Sequence, residues 1–163
     1  MILVAVGANL PDADGRTPLQ SCAWAVDRIV ERSGRPLVLC SPWYRSAPVP
    51  PSGQPDYVNG VVHLAGTAEP HAFLRLLHGI EAEAGRTRSV ANAARTLDLD
   101  LLAIDGLVVA EPGLVLPHPR LHQRAFVLAP LYDVAPAWVH PESGVPLSTL
   151  LAAADRTGLS LLA

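Results

Sequence analysis

Lysine is absent from this chain, and all 12 of its basic residues are arginine. The guanidinium fork suits phosphate oxygens, although a compositional bias of the genome explains the pattern more simply. Charge of either sign is sparse, at 17% of residues with a formal net charge of −3. That argues against nucleic acid as a partner, because backbone binding needs a net basic surface or at least a basic stripe. Only Cys22 and Cys40 are present; they sit in apolar patterns without metal-ligand or redox-motif spacing, so both are expected to be buried core thiols. No apolar run reaches membrane-spanning length. The apolar opening Ile2 to Val6 has no basic leader and stops at Gly7-Ala8-Asn9, so it reads as a strand and not a signal sequence, with the cytoplasm as the expected location. There is no glycine-rich phosphate loop with its lysine and no nucleophile-elbow pattern, which sets aside P-loop chemistry and Ser-His-Asp hydrolysis.

What is present is a half-apolar chain of 163 residues, enough to bury one full core, so residues 1–163 are read as a single domain. Thr17-Pro18-Leu19-Gln20 is a capping box with proline at the first helical position. Leu19, Cys22, Val26, Ile29 and Val30 follow on one helical face, and Gly34 supplies the stop. A second strand is expected from Leu37 to Tyr44, bent or at an edge where Pro42 removes a donor, followed by a Pro/Ser/Gly/Gln loop from Ala47 to Pro55. Tyr57 to Leu64 reads as a third strand; Asn59-Gly60 could mark a hairpin, but the alternation runs through it in phase. Phe73, Leu74, Leu77 and Ile80 mark a second amphipathic helix from Pro70 to Ala84, which Gly85 ends. A fourth strand carries Asp98 and Asp100, Asp105-Gly106 turns the chain into a short extended segment, and a closing helix is expected over Pro146 to Ala154. The order β-α-β-β-α-β predicts an α+β, ferredoxin-like antiparallel sheet with two helices covering one face and extra C-terminal elements.

The chemistry concentrates at Gly85-Arg86-Thr87-Arg88 and Arg95-Thr96-Leu97-Asp98-Leu99-Asp100. Side chains alternate along a strand, so Asp98 and Asp100 share one face, roughly 6.5 Å apart. Such a pair can ligate a hard cation, or bridge two cations roughly 3.5–4 Å apart. Magnesium takes one or two carboxylates and completes its shell with water and phosphate oxygens, while Arg86, Arg88 and Arg95 supply donors for phosphate. Alone, Asp-x-Asp fits an edge strand with a polar outer face; the three arginines shift the balance towards a polyphosphate site. Pro117-His118-Pro119-Arg120 with Arg124-Ala125-Phe126 adds an imidazole, two guanidiniums and a ring. The flanking prolines keep His118 out of a helix, so pairing with His122 at zinc-ligand spacing is disfavoured. Phosphate contact and an ordinary surface loop weigh about equally there. Tyr57 and Asn59 on one strand face offer a stacking ring and an amide suited to a flat heterocycle, or simply a half-buried strand face. Glu81 can meet a ribose hydroxyl or stand as a solvated helix carboxylate.

Together these segments resemble the 6-hydroxymethyl-7,8-dihydropterin pyrophosphokinases of folate biosynthesis over nearly the whole chain. The motifs are Gly7-Ala8-Asn9-Leu10, Ser41-Pro42-Trp43-Tyr44-Arg45-Ser46, Gln54-Pro55-Asp56-Tyr57-Val58-Asn59, Ile80-Glu81 through Gly85-Arg86, Arg95 to Asp100, and Pro117 to Arg120 with Arg124-Ala125-Phe126-Val127-Leu128. The resemblance implies transfer of a diphosphate from ATP to the pterin hydroxymethyl group, release of AMP, and two magnesium ions as cofactors. It places the metals on Asp98 and Asp100, and the pterin between Tyr57 and Phe126 with Asn59 and Ser46 at its edge. Glu81, Arg88, His118 and Arg124 become nucleotide contacts, and Arg86 and Arg95 catalytic ones. It further implies a lid over residues 87–94, small-molecule partners only, and a monomer. The chain departs from the family at Asn92-Ala93-Ala94, where members often carry a tryptophan and Gly-Pro, at Ala8 for serine and at Ser46 for threonine.

Overall fold

The computed structural model describes residues 1–48, 50–85 and 96–162. Among them the chain forms, in order, β1 (Ile2–Ala8), α1 (Pro18–Ser33), β2 (Leu37–Cys40), β3 (Tyr44–Ser46), β4 (Tyr57–Leu64), α2 (Pro70–Glu83) and β5 (Asp98–Ile104). A hairpin of β6 (Val109–Glu111) and β7 (Leu114–Leu116) follows, then a 3-10 turn, α3 (Ala125–Val134), α4 (Leu147–Ala153) and β8 (Ser160–Leu161). The sheet runs β5-β1-β4-β3-β8, with β2 also on β4, and its pairings are antiparallel. This is the expected ferredoxin-like order, with one alteration.

The strand expected over 37–44 is split in two at Ser41-Pro42-Trp43. Proline has no N–H to give the ladder, and Ser41 carries the pairing across the gap. Its amide donates to the Val61 carbonyl at 3.0 Å, and its Oγ accepts from the Val61 amide at 2.9 Å. The Trp43 ring lies so close over Gly60 that a Cβ there would sit 2.5 and 2.6 Å from ring carbons. Gly60 is therefore a strand residue chosen for the ring above it, not a hairpin turn.

β1 is buried along its whole length, which explains an apolar run with no alternation. Ile2, Val4 and Val6 face a core built with Cys22, Ile29, Leu77, Ile80 and Leu99 beneath α1 and α2. Leu3 and Ala5 face a second core with Val61, Leu102, Val127, Leu128, Leu131 and Leu147. α1 and α2 therefore cover one face as expected, and the extra C-terminal elements α3 and α4 cover the other. Leu128 and Leu131 are fully buried, and each contributes about 1.5–3 kcal/mol of burial free energy. α3 escapes a periodicity reading because it is apolar nearly all round and contains Pro130.

The helix signals hold in detail. Thr17 and Gln20 exchange both capping-box bonds, and Gly34 ends α1 in the left-handed region at φ 66°. Leu19, expected on the buried stripe, is 42% exposed; the stripe begins one turn further in, at Ser21 and Cys22. Glu69 caps α2 by accepting from the amides of His71 and Ala72. Cys22 is buried, and burial pushes its thiol up to about 12. Cys40 is exposed, contrary to expectation, because all four residues of β2 lie at a sheet edge that neither helical layer covers. Among the described residues no helix is long and apolar enough to cross a membrane.

Candidate active site

β5 supplies the acidic pair. Leu97, Leu99 and Leu101 are buried in the core under α1 and α2, so Asp98 and Asp100 point to the opposite face, towards α3. The register sets Asp100 beside Ala5 and Asp98 beside Gly7, and Gly7 in turn beside Asn59. Two small residues of β1 thus lie between the carboxylates and β4, which leaves open volume above the sheet. A bulge where Leu3 and Val4 pair with Ala103 and Leu101 sends Leu102 and Ala103 together into the second core. The change from polar wall to packed core falls within three residues of Asp100.

The open volume is a cavity of about 540 Å³ whose walls include Ser46, Tyr57, Asn59, Asp98, Asp100, His118, Arg124 and Phe126. Those predicted residues, drawn from between Ser46 and Phe126 of the sequence, are thus brought to one place. Asn59 is 8% exposed, and its Nδ2 donates to Ser46 Oγ, which leaves the serine's own proton to turn towards a ligand. On its other side, a Cβ at Gly7 would stand 2.9 Å from Asn59 Oδ1. Phe126 opens α3 and its ring lies 5.6 Å from the Arg124 guanidinium carbon, within cation-π range.

His118 is held out of a helix, as expected, and its amide donates to the Leu102 carbonyl at 2.9 Å. Burial, then the Arg124 cation, lower its pKa from 6.5 to about 4, against an opposing pull from Asp98. The ring is therefore neutral near pH 7. Nδ1 accepts from the Arg120 amide at 3.3 Å, so the proton resides on Nε2, 4.0 Å from Asp100 Oδ1. With a neutral imidazole this approach is a dipolar contact and not an ion pair.

Glu81 lies elsewhere. It is 1% exposed, it is not in the cavity wall, and its Oε2 accepts from the Leu99 amide at 2.9 Å. Arg86, Arg88, Arg95 and the lid over 87–94 lie outside the described residues. Asn9, part of the Gly7-Ala8-Asn9-Leu10 motif but without a role assigned from the sequence, is 2% exposed and donates to Gln54 Oε1 at 3.2 Å and to the Pro55 carbonyl at 3.1 Å. It ties the turn after β1 to the loop that contributes Pro48, Ser52 and Gln54 to the cavity. The available signal was an amide directly after a buried strand, facing a long loop with its own polar groups to satisfy. Arg120, one of the two guanidiniums of the segment weighed for phosphate contact, also lines the cavity.

The donor set suits a hard cation that shares its shell with a bound anion. Asp98 and Asp100 are partly exposed on one cavity wall, and among the described residues no cluster of three or more His, Cys, Asp or Glu could hold a metal alone. Two carboxylates with an open side match magnesium's habit of keeping water and phosphate oxygens, and do not match a closed zinc site.

Comparison with known proteins agrees with this geometry. The chain is similar to the 2-amino-4-hydroxy-6-hydroxymethyldihydropteridine pyrophosphokinase of Pseudomonas aeruginosa, with 40% identity over 161 residues, 99% of this chain and 96% of that one. Against the enzyme of the same description from Synechocystis, identity is 36% over 157 residues, 96% of this chain and 77% of that one. Among solved structures, wild-type Plasmodium falciparum HPPK-DHPS superposes with a TM-score of 0.67 at 11% identity, covering 93% of this chain and 44% of that longer one; this likeness bears on fold alone. The model of the family described as 7,8-dihydro-6-hydroxymethylpterin-pyrophosphokinase matches residues 3–136, and the chain belongs to that family.

Proposed function

We propose that this cavity transfers a diphosphate from ATP to the hydroxymethyl group of 6-hydroxymethyl-7,8-dihydropterin, releasing AMP, as a step of folate biosynthesis. The observation that carries this reading is the placement of Asp98 and Asp100 on the same sheet face as Tyr57 and Asn59, lining the same cavity as Phe126 of α3. A site for a phosphate-bound cation and a site for a flat heterocycle thus share one volume. The chain acts as a single-domain monomer in the cytoplasm, with small molecules as its partners.

Tyr57 and Phe126 stack on the pterin ring, and the Asn59 amide with the Ser46 hydroxyl reads its edge. Asp98 and Asp100 would hold two magnesium ions, which supply charge neutralisation at the phosphate oxygens when bound. His118, neutral and with its proton on Nε2, donates to a phosphate oxygen without adding charge, and Arg124 adds a cation. Arg86, Arg88 and Arg95 complete the phosphate contacts. The pterin hydroxyl oxygen forms a bond to the β-phosphorus and releases its proton to water as the bond from that phosphorus to the α-phosphate oxygen breaks, and AMP leaves in line. Holding the alcohol and the β-phosphorus in near-attack geometry is the protein's main contribution, since little covalent work is asked of it.

Asp98→Asn and Asp100→Asn test the reading. Each is expected to abolish turnover while circular dichroism and thermal unfolding stay at wild-type values. Turnover at the wild-type rate in either variant would overturn it.

A further inference from the structure

Two side-chain hydrogen bonds join the end of α2 to the start of β5. Thr96 Oγ1 donates to the Ala84 carbonyl at 2.9 Å, and the Leu99 amide donates to Glu81 Oε2 at 2.9 Å. Glu81 sits in the last turn of α2 on its buried side, next to Ile80. β5 is an outer strand of the sheet, with β1 on its one paired side. Successive amides along a strand point to opposite edges. The Leu99 amide meets α2 on the outer edge, so those of Asp98 and Asp100 are directed towards β1. The Glu81 carboxylate stands where a neighbouring strand's carbonyl would otherwise be.

Leu99 is the residue between the two aspartates. β1 holds the Asp98 and Asp100 backbone on one side, and among the described residues the Glu81 carboxylate is what holds the Leu99 amide on the other; a change in the backbone angles of Leu99 would turn one carboxylate relative to the other. A carboxylate buried in the core and bonded to the one amide lying between two ligand residues is a second-layer support. Such partners hold metal ligands in orientation, and their loss typically costs metal affinity.

We propose that Glu81 is a positioning residue for the acidic pair, acting through the Leu99 amide and not by contact with the nucleotide. The inference rests on the metal reading given above. Through this bond Asp98 and Asp100 keep their common orientation whether or not the cavity is filled.

The test uses the full chain with Mn²⁺ as the probe and a non-hydrolysable ATP analogue present. Free Mn²⁺ is followed by electron paramagnetic resonance, and exchange of the Leu99 amide by NMR. Glu81→Met, which keeps bulk but offers no acceptor oxygen, is expected to weaken Mn²⁺ binding roughly 10- to 100-fold and to expose the Leu99 amide to exchange. Glu81→Gln, whose amide oxygen can still accept that bond, is expected to restore both. If Glu81→Gln is as weak as Glu81→Met, the carboxylate acts through its charge and the proposal is overturned. It is equally overturned if Glu81→Met binds Mn²⁺ normally while Asp100→Asn does not. Normal binding by Asp100→Asn would instead remove the metal reading itself, and the proposal with it. Should Glu81→Met not fold, Glu81→Gln alone decides: wild-type Mn²⁺ affinity supports the hydrogen-bond role, and lost affinity contradicts it.

Discussion

Gly7→Ala gives a narrow test of how the pterin edge is read. Gly7 lies in β1 between Asp98 and Asn59, and its φ is not among the positive values that favour glycine. Alanine therefore fits its backbone, and in a strand it even removes glycine's entropic cost. The added Cβ, however, would lie 2.9 Å from Asn59 Oδ1 and 3.5 Å from the Val58 carbonyl. At the first of these distances the Asn59 amide has to swing away, breaking its bond to Ser46 Oγ and leaving the position from which it reads the pterin edge. Losing that hydrogen bond to the pterin costs about 1–3 kcal/mol, a roughly 5- to 150-fold loss of pterin affinity. Calorimetric titration with the pterin alcohol, in the presence of a non-hydrolysable ATP analogue, reads that loss directly. The affinity for the analogue should be unchanged. Repeating the substitution in an Asn59→Ala background should add nothing further, because the group it displaces is gone. An undiminished pterin affinity in Gly7→Ala, or an equal loss in the Asn59→Ala background, would refute this reasoning.

Further outcomes follow from individual residues. Phe126→Ala should weaken pterin binding by roughly 1–3 kcal/mol, the range for loss of an aromatic stack on a base, and leave the ATP analogue nearly unaffected; equal losses for both would argue against stacking. Gly60→Ala forces a Cβ to 2.5 Å from the Trp43 ring and should cost about 1–3 kcal/mol in urea unfolding, a cost that should vanish in a Trp43→Leu background. The His118 imidazole is held near pKa 4 by burial and Arg124, against 6.5 ordinarily. In the unfolded chain it takes a proton near pH 6.5 that the folded chain refuses until about pH 4, so stability should fall as pH drops through that window. His118→Gln should flatten the fall in thermal midpoint between those limits, and an unaltered slope would contradict the assignment.

Much of this was legible in the sequence because the signals are local. The Thr17-Gln20 box and Gly34 mark α1 within a residue of each end, and the alternation from Tyr57 to Leu64 gave β4 and its two faces correctly. Asp98 and Asp100 were placed on one face by strand geometry alone. The rest depended on information outside any short window. α3 has no apolar stripe to detect, because it is buried between the sheet and α4, and Pro130 reads as a breaker although the helix tolerates it. Pro42 already pointed to a bend or an edge for the strand that carries Cys40, but the apolar pattern around Cys40 reads as buried, and which part of an edge strand the helices leave uncovered is a property of the whole topology. Glu81 illustrates the same limit. Its helix position was clear, but its partner is a backbone amide 18 residues away, and a backbone amide carries no mark in the sequence.

In the proposed reaction one cavity holds both a phosphate-bound cation and a stacked pterin, so that a diphosphate passes whole from one to the other. Incubation of the purified chain with ATP and the pterin alcohol, followed by separation of nucleotide and pterin products, decides whether it does. Equal amounts of AMP and a pterin bearing two phosphates are expected, with none formed when magnesium is removed by a chelator. ADP or free phosphate in place of AMP would contradict it.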